Sequence, residues 1–158
     1  MRTWSPCRAV AKTRASENRF DSFIATTYRA DSAGAIRAIR LKIEGLEEGA
    51  SAISGYEFIK RYNTGDPIPV SGDVVIIGGG FTAVDCARAA RRLLGQQYRV
   101  TAIMYRRGEE HMSASPDEIW QLRLEGIDVG TLVNPARARC EGGQVKAVVF
   151  DQIGRAHV

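Results

Sequence analysis

The most restrictive stretch of the chain is Val74-Val75-Ile76-Ile77, followed at once by Gly78-Gly79-Gly80. Four consecutive β-branched apolar residues leave no polar face. A strand of that kind is buried on both sides, as in a parallel sheet covered by a layer on each face. Three glycines then allow a turn that few other residues could make. From Thr82 to Leu94, Ala83, Ala87, Ala90 and Leu94 recur at helical spacing, with arginines on the opposite side. Gly95 stops that helix. Strand, glycine turn and helix in immediate succession are the opening of a strand–helix–strand unit.

The downstream pattern continues that unit. Arg99 to Tyr105 reads as a second strand. Pro116 to Leu124 reads as a short helix, with Ser115 as N-cap and Glu118 completing a capping box. Ile127 to Val133 reads as a third strand. Ala136–Cys140 and Gln144–Phe150, joined by Glu141-Gly142-Gly143, read as an antiparallel hairpin. The expected fold class is α/β: a Rossmann-like parallel sheet with flanking helices and a C-terminal antiparallel β-hairpin. Upstream the signal is weaker. Residues 1–19 and 28–40 carry no clear period. Phe20 to Thr27 reads as a short strand and Leu41 to Gly49 as a loop. Ser54 to Tyr62 reads as a helix, with Ser54 and Glu57 as a second capping box. Asn63, Gly65, Pro67 and Pro69 end it in a linker.

The glycine turn has the form Gly-x-Gly-x-x-Ala, and each position has a mechanical reason. Gly78 makes the tight turn out of the strand. Gly80 has no Cβ, so a pyrophosphate can approach the backbone. Ala83 is small enough for the helix to pack on the strand. Gly79, Phe81 and Thr82 complete the cradle, in which helix N–H groups and the positive dipole end face the phosphates. The expected site is therefore Gly78, Gly79, Gly80, Phe81, Thr82 and Ala83, and the expected ligand a dinucleotide. The second strand then discriminates between cofactors. NAD binders usually place a carboxylate near its end for the ribose hydroxyls. Here it ends Tyr105-Arg106-Arg107, with no acid until Glu109. Two guanidiniums suit a 2′-phosphate, so Tyr105, Arg106 and Arg107 join the candidate site and NADPH is the expected cofactor.

Composition excludes several other classes. The 158 residues are 44% hydrophobic and 25% charged, which argues against wholesale disorder. No apolar run approaches the roughly 20 residues of a membrane span, and Met1 to Arg19 lacks the apolar segment of a secretory signal. Cys7, Cys86 and Cys140 form no Cys-x-x-Cys, so no metal site is expected, and a reduced cytoplasmic setting is the default. The formal charge of +4 is uneven: residues 1–40 carry +5 and residues 41–158 carry −1. A basic N-terminal arm could contact phosphates. It has no interleaved aromatics for base stacking, so neither nucleic acid nor a membrane is an expected partner.

With these residues in hand, the segment from Ser54 to Asp151 resembles the NADPH-binding part of the glutamate synthase small-subunit family. That family consists of NADPH-dependent FAD oxidoreductases, and the reductase part of dihydropyrimidine dehydrogenase is similar. The residues that carry the likeness are Ser-Gly-Tyr-Glu-Phe-Ile-Lys at 54–60, Val-Val-Ile-Ile-Gly-Gly-Gly-Phe-Thr-Ala-Val-Asp at 74–85, Tyr-Arg-Arg at 105–107, Glu-Glu-His-Met at 109–112 and Leu-Val-Asn-Pro at 132–135. Phe81 stands where the family has Asn, and Ser113 where it often has Pro. The resemblance implies an FAD in the full-length protein and hydride transfer between NADPH and flavin. It also implies a flavin domain and an electron-transfer subunit as partners. It divides the chain into residues 1–53, a leader with the remnant of an FAD-domain strand, and 54–152, an incomplete NAD(P)H-binding domain. Ile-Gly-Arg-Ala-His-Val at 153–158 is what one frame of a sequencing-library adapter encodes and reads as a non-native tail. The chain reads as a fragment, inactive alone.

The remaining candidates have plainer readings. Tyr56 and Lys60 precede the glycine turn, unlike the catalytic pair of short-chain dehydrogenases, and are read as a chance helical pairing. Asp85 is read as structural and Cys86 as a small buried hydrophobe. Trp120 and Leu124 are expected in the core and His111 in solvent. No catalytic residue is expected, because the flavin performs the chemistry. The competing reading is a non-catalytic nucleotide-binding or interaction module.

Overall fold

The computed structural model describes residues 15–19, 22–25, 28–30, 36–38, 43–46, 52–70, 72–95 and 101–154. In chain order the elements are β1 (Ala15–Arg19), β2 (Ser22–Ala25), β3 (Tyr28–Ala30), β4 (Ile36–Ala38), β5 (Ala52–Ser54), α1 (Gly55–Asn63), β6 (Val74–Ile77), α2 (Phe81–Leu94), β7 (Thr101–Tyr105), a 3-10 turn (Glu109–His111), α3 (Pro116–Leu124), β8 (Ile127–Thr131), β9 (Val133–Glu141) and β10 (Gln144–Gln152). Five strands form a wholly parallel sheet in the order β5-β2-β6-β7-β8. β1, β10 and β9 form an antiparallel sheet in that order, and β3 pairs with β4. The fold class is α/β, as expected.

The apolar run at 74–77 explains the layering. All four residues are buried. Val74 and Ile76 face one way, with Ile103, Ile127 and Val129, into a cluster completed by Phe58 of α1, Ala83, Ala87, Ala90 and Leu94 of α2, and Ile119 and Leu122 of α3. Val75 and Ile77 face the other way, with Ala102 and Met104, onto Val133, Ala138, Val145, Val148 and Phe150 of the β9–β10 hairpin. Alternation along the strand sends successive side chains to opposite faces, so one strand feeds two cores. Each such side chain contributes roughly 1.5–3 kcal/mol when fully buried. The hairpin is thus the second covering layer of the parallel sheet.

Local expectations fared differently. The box at Ser115 forms: Glu118 N–H donates to Ser115 Oγ at 3.2 Å, and Ser115 N–H donates to Glu118 Oε2 at 2.8 Å. The box at Ser54 does not form, because the Ser54 side chain accepts no capping hydrogen bond. Trp120 and Leu124 are not core residues. They are 60% and 66% exposed, because α3 turns the 119/122 pair inward and these two fall on the outer side. The third strand ends at Thr131, and Leu132 breaks it with φ +57. Residues 15–19, which carry no periodic pattern, pair with β10. Ser22–Ala25 lies between β5 and β6 in the parallel sheet. Of the expected second strand, Thr101–Tyr105 is described and is a strand. Residues 1–14, 96–100 and 155–158 lie outside the described residues.

Candidate functional site

Register aligns the carboxyl ends of the parallel strands. Ser54 is level with Ala25, Ala25 with Ile77, Ile77 with Met104, and Met104 with Gly130. The start of α1, the glycine turn, the loop after β7 and the corner at Leu132 therefore share one edge. In open α/β sheets ligands bind outside the carboxyl ends of the strands.

The glycine turn is fixed from behind and open in front. Gly78 has φ +141, a backbone that side chains rarely adopt, and its N–H donates to Met104 O at 3.1 Å. Gly79 is buried. A Cβ there would meet Tyr105 Cγ at 2.7 Å, and its carbonyl accepts from Ser113 N–H at 3.0 Å. Gly80 differs from both. Its φ of −93 suits any residue, and a Cβ there would meet nothing within 4 Å. Neither backbone nor packing requires glycine at position 80, whereas close approach of a ligand would. Gly80 is the N-cap of α2, and its carbonyl accepts from Ala83 N–H at 3.0 Å. The N–H groups of Phe81 and Thr82 have no intrahelical acceptor, as in any first turn. No acidic residue and no side-chain cap occupies that turn. Ala83 is fully buried, and its small side chain lets α2 approach β6. Phe81 is 60% exposed.

The loop after β7 supplies the charge. Tyr105 lies behind Gly79 as a buttress, and its hydroxyl donates to His111 O at 3.1 Å. Arg106 and Arg107 are exposed. The two acids of the loop are engaged elsewhere: Glu109 pairs with Arg123 of α3 through both carboxylate oxygens, and Glu110 meets His111 Nδ1 at 3.2 Å. Among the described residues, neither arginine forms an ion pair. Arg107 O accepts from Leu132 N–H at 3.1 Å. Sequence reasoning singled out neither Leu132 nor Ser113 as a tie to this site. Ser113 had a signal, since it departs from the family's Pro; a backbone bond such as that of Leu132 leaves none.

Other groups are accounted for. Cys86 is buried, and its thiol donates to Gly55 O at 3.5 Å. Burial, with the neighbouring Asp85 charge, pushes the thiol up to about 12. It is therefore protonated and unreactive at neutral pH. Asp85 and His111 are exposed. Among the described residues no group of three or more His, Cys, Asp or Glu is placed to hold a metal ion. No helix among them is long and apolar enough to cross a membrane.

No protein-family model matches the chain. Curated relatives do. The β subunit of an NADP(+)-dependent formate dehydrogenase from Moorella thermoacetica is 34% identical over 128 residues, 80% of this chain and 17% of that protein. The β subunit of an NADPH-Fe(3+) oxidoreductase from Geobacter sulfurreducens is 31% identical over 66% of this chain and 15% of its own length. The small chain of Escherichia coli NADPH glutamate synthase is 38% identical over 48% of this chain and 16% of its own length. The chain spans less than a fifth of each of these relatives. The resemblance read from the motifs is borne out: the chain is homologous to one segment of a set of NADPH-dependent oxidoreductase subunits that includes the glutamate synthase small chain.

Proposed function

We propose that this chain, homologous to one segment of the glutamate synthase small-chain group, is the NADPH-binding part of an FAD-dependent oxidoreductase. The observation that carries the reading is the pair Arg106 and Arg107. They have no ion-pair partner among the described residues, on the same sheet edge as a glycine turn with open space in front of Gly80. In this reading residues 54–152 form the nucleotide-binding unit, to which β2 adds a strand. Gly78 to Ala83 hold the pyrophosphate through backbone N–H groups and the α2 dipole. Arg106 and Arg107 hold the 2′-phosphate through charge-assisted hydrogen bonds. Glu109 is withheld from the ribose by Arg123. The chemistry that the nicotinamide supplies when bound is hydride exchange with a flavin in the parent protein's FAD domain. The side chains of this segment bind and orient, and none acts as acid, base or nucleophile. An electron-transfer subunit would complete the parent enzyme.

Titrating the chain with NADPH and NADH by calorimetry tests the reading. Arg106→Ala should weaken NADPH by about 1.5–3 kcal/mol, the scale of a hydrogen bond to a charged group. NADH affinity should barely change. Equal loss for both cofactors would refute the 2′-phosphate assignment.

A further inference from the structure

Leu132 is the one non-glycine residue with positive φ among those described. Leucine adopts the left-handed region seldom, since its Cβ crowds the following carbonyl. Such strain persists where the surroundings over-determine it, and it clusters at functional sites. Two backbone bonds hold it here. Leu132 N–H donates to Arg107 O at 3.1 Å, and Leu132 O accepts from Ile153 N–H at 2.7 Å. On its N-terminal side Thr131 pairs with Tyr105 in the parallel sheet. On its C-terminal side Val133 pairs with Gln152 in the antiparallel sheet. One residue thus turns the chain from the first sheet to the second. The same turn takes its N–H out of both ladders and aims it at the loop between β7 and the 3-10 turn.

That loop holds Arg106 and Arg107, and no ion pair among the described residues fixes either guanidinium. Its main chain is tied where Arg107 meets Leu132. Resting on the NADPH reading above, we infer that Leu132 is a positioning residue for the 2′-phosphate. Its left-handed backbone fixes the Arg107 carbonyl and thereby sets where the two guanidiniums stand. It touches no part of the nucleotide itself. Anchoring arginines in advance spares the ordering cost that a free loop would pay on binding, so the anchor favours the phosphorylated cofactor selectively.

The test compares Leu132→Val with Leu132→Gly. A β-branched residue resists φ +57, whereas glycine accepts it, and both keep the N–H. Leu132→Val should raise the NADPH Kd about tenfold, the low end for losing a charge-assisted bond. It should leave the NADH Kd within about twofold and the thermal transition cooperative. Leu132→Gly should hold both Kd values within about twofold. Equal weakening of both cofactors by Leu132→Val, or no change in a variant that folds, overturns the assignment. Amide exchange in the unaltered chain serves if Leu132→Val does not fold. NADPH should slow exchange of the Leu132 N–H by about tenfold and NADH should not; equal slowing by both overturns it. If the unaltered chain shows no preference for NADPH, the parent reading fails and this inference with it. That outcome is distinguishable, because it is seen before any variant is made.

Discussion

Adjacent glycines in the turn should respond to the same substitution in opposite ways. At position 79 an added methyl meets the Tyr105 ring, with Cγ at 2.7 Å. A ring cannot yield like the tip of a flexible chain, so Tyr105 must shift as a body. Overpacking of this kind costs about 1–3 kcal/mol. Displacing the ring also strains the hydrogen bond from its hydroxyl to His111 O, a further ~0.5–1.5 kcal/mol. Gly79→Ala should therefore destabilise the fold by roughly 2–4 kcal/mol. At about 2–4 °C per kcal/mol for a chain of this size, the melting temperature should fall by some 4–16 °C. At position 80 the methyl meets nothing within 4 Å and φ is −93. Alanine there restricts the unfolded chain, which is worth about 0.4–1 kcal/mol. It is also a poorer N-cap than glycine, a loss of comparable size. Gly80→Ala should thus move stability by less than ~1 kcal/mol either way. The methyl would, however, stand where the pyrophosphate must approach. NADPH affinity should drop at least tenfold, about 1.4 kcal/mol. Thermal melts and cofactor titrations of the two variants, side by side, check the prediction. A Gly80→Ala protein that binds NADPH normally would mean the open space is not a ligand's, and the argument from it would fail.

Three further outcomes follow from particular contacts. Ser115→Ala removes the acceptor for Glu118 N–H and should cost ~0.5–2 kcal/mol in urea denaturation. Cys86, with its thiol pushed up to about 12 by burial and Asp85, should resist iodoacetamide at pH 8 in the folded chain and react on unfolding, as read by peptide mass mapping. Because its folded value lies above its unfolded one, its contribution to stability is intact below pH ~9 and is lost as pH rises towards 12. Burial also raises the Asp128 carboxyl above its ordinary value, so its ionised form disfavours the fold at neutral pH. Asp128→Asn should stabilise the chain at pH 7, and the gain should vanish as pH falls below the ordinary carboxylate range.

The central unit was legible because several signals agreed at each point. Val74 to Ile77 had to be doubly buried, and the glycine turn and the alanine stripe of α2 each admit one role. α3 was legible in extent but not in orientation. Ile119 and Leu122 are spaced by three, and Trp120 and Leu124 by four. Both spacings define a helical face. Which face turns inward depends on how α3 sits over β8, which periodicity does not report. The two capping boxes show a similar limit: Ser54 and Ser115 look alike in sequence, but only Ser115 has Pro116 pre-set at the first helical position. β1 could not be read, since its pairing partner β10 begins more than a hundred residues later. The glycine turn was legible in its place between β6 and α2. The tie to Leu132 runs through backbone atoms, which side-chain identity does not encode, whereas the tie to Ser113 needs an N–H that a Pro there would lack.

The location of the proposed site follows from the same burial that dictates the fold. One face of the parallel sheet is covered by α1, α2 and α3, and the other by the β9–β10 hairpin. A ligand is thus left with the strand ends. At the carboxyl end the sheet presents Gly78's left-handed turn, the uncapped start of α2 and the loop of Arg106 and Arg107. Of the acids nearest that loop, Glu109 is paired with Arg123 and Glu110 lies against His111. Had Glu109 been free, it would have offered a ribose acceptor and offset one arginine at once, which favours NADH. Its pairing with α3 turns an ambiguous Arg-Arg-Gly-Glu-Glu string into an edge with two uncommitted positive charges. Cofactor preference in this reading is therefore set by a contact fourteen residues away, between Glu109 and Arg123. It does not depend on the overall charge of +4, whose excess lies within residues 1–40.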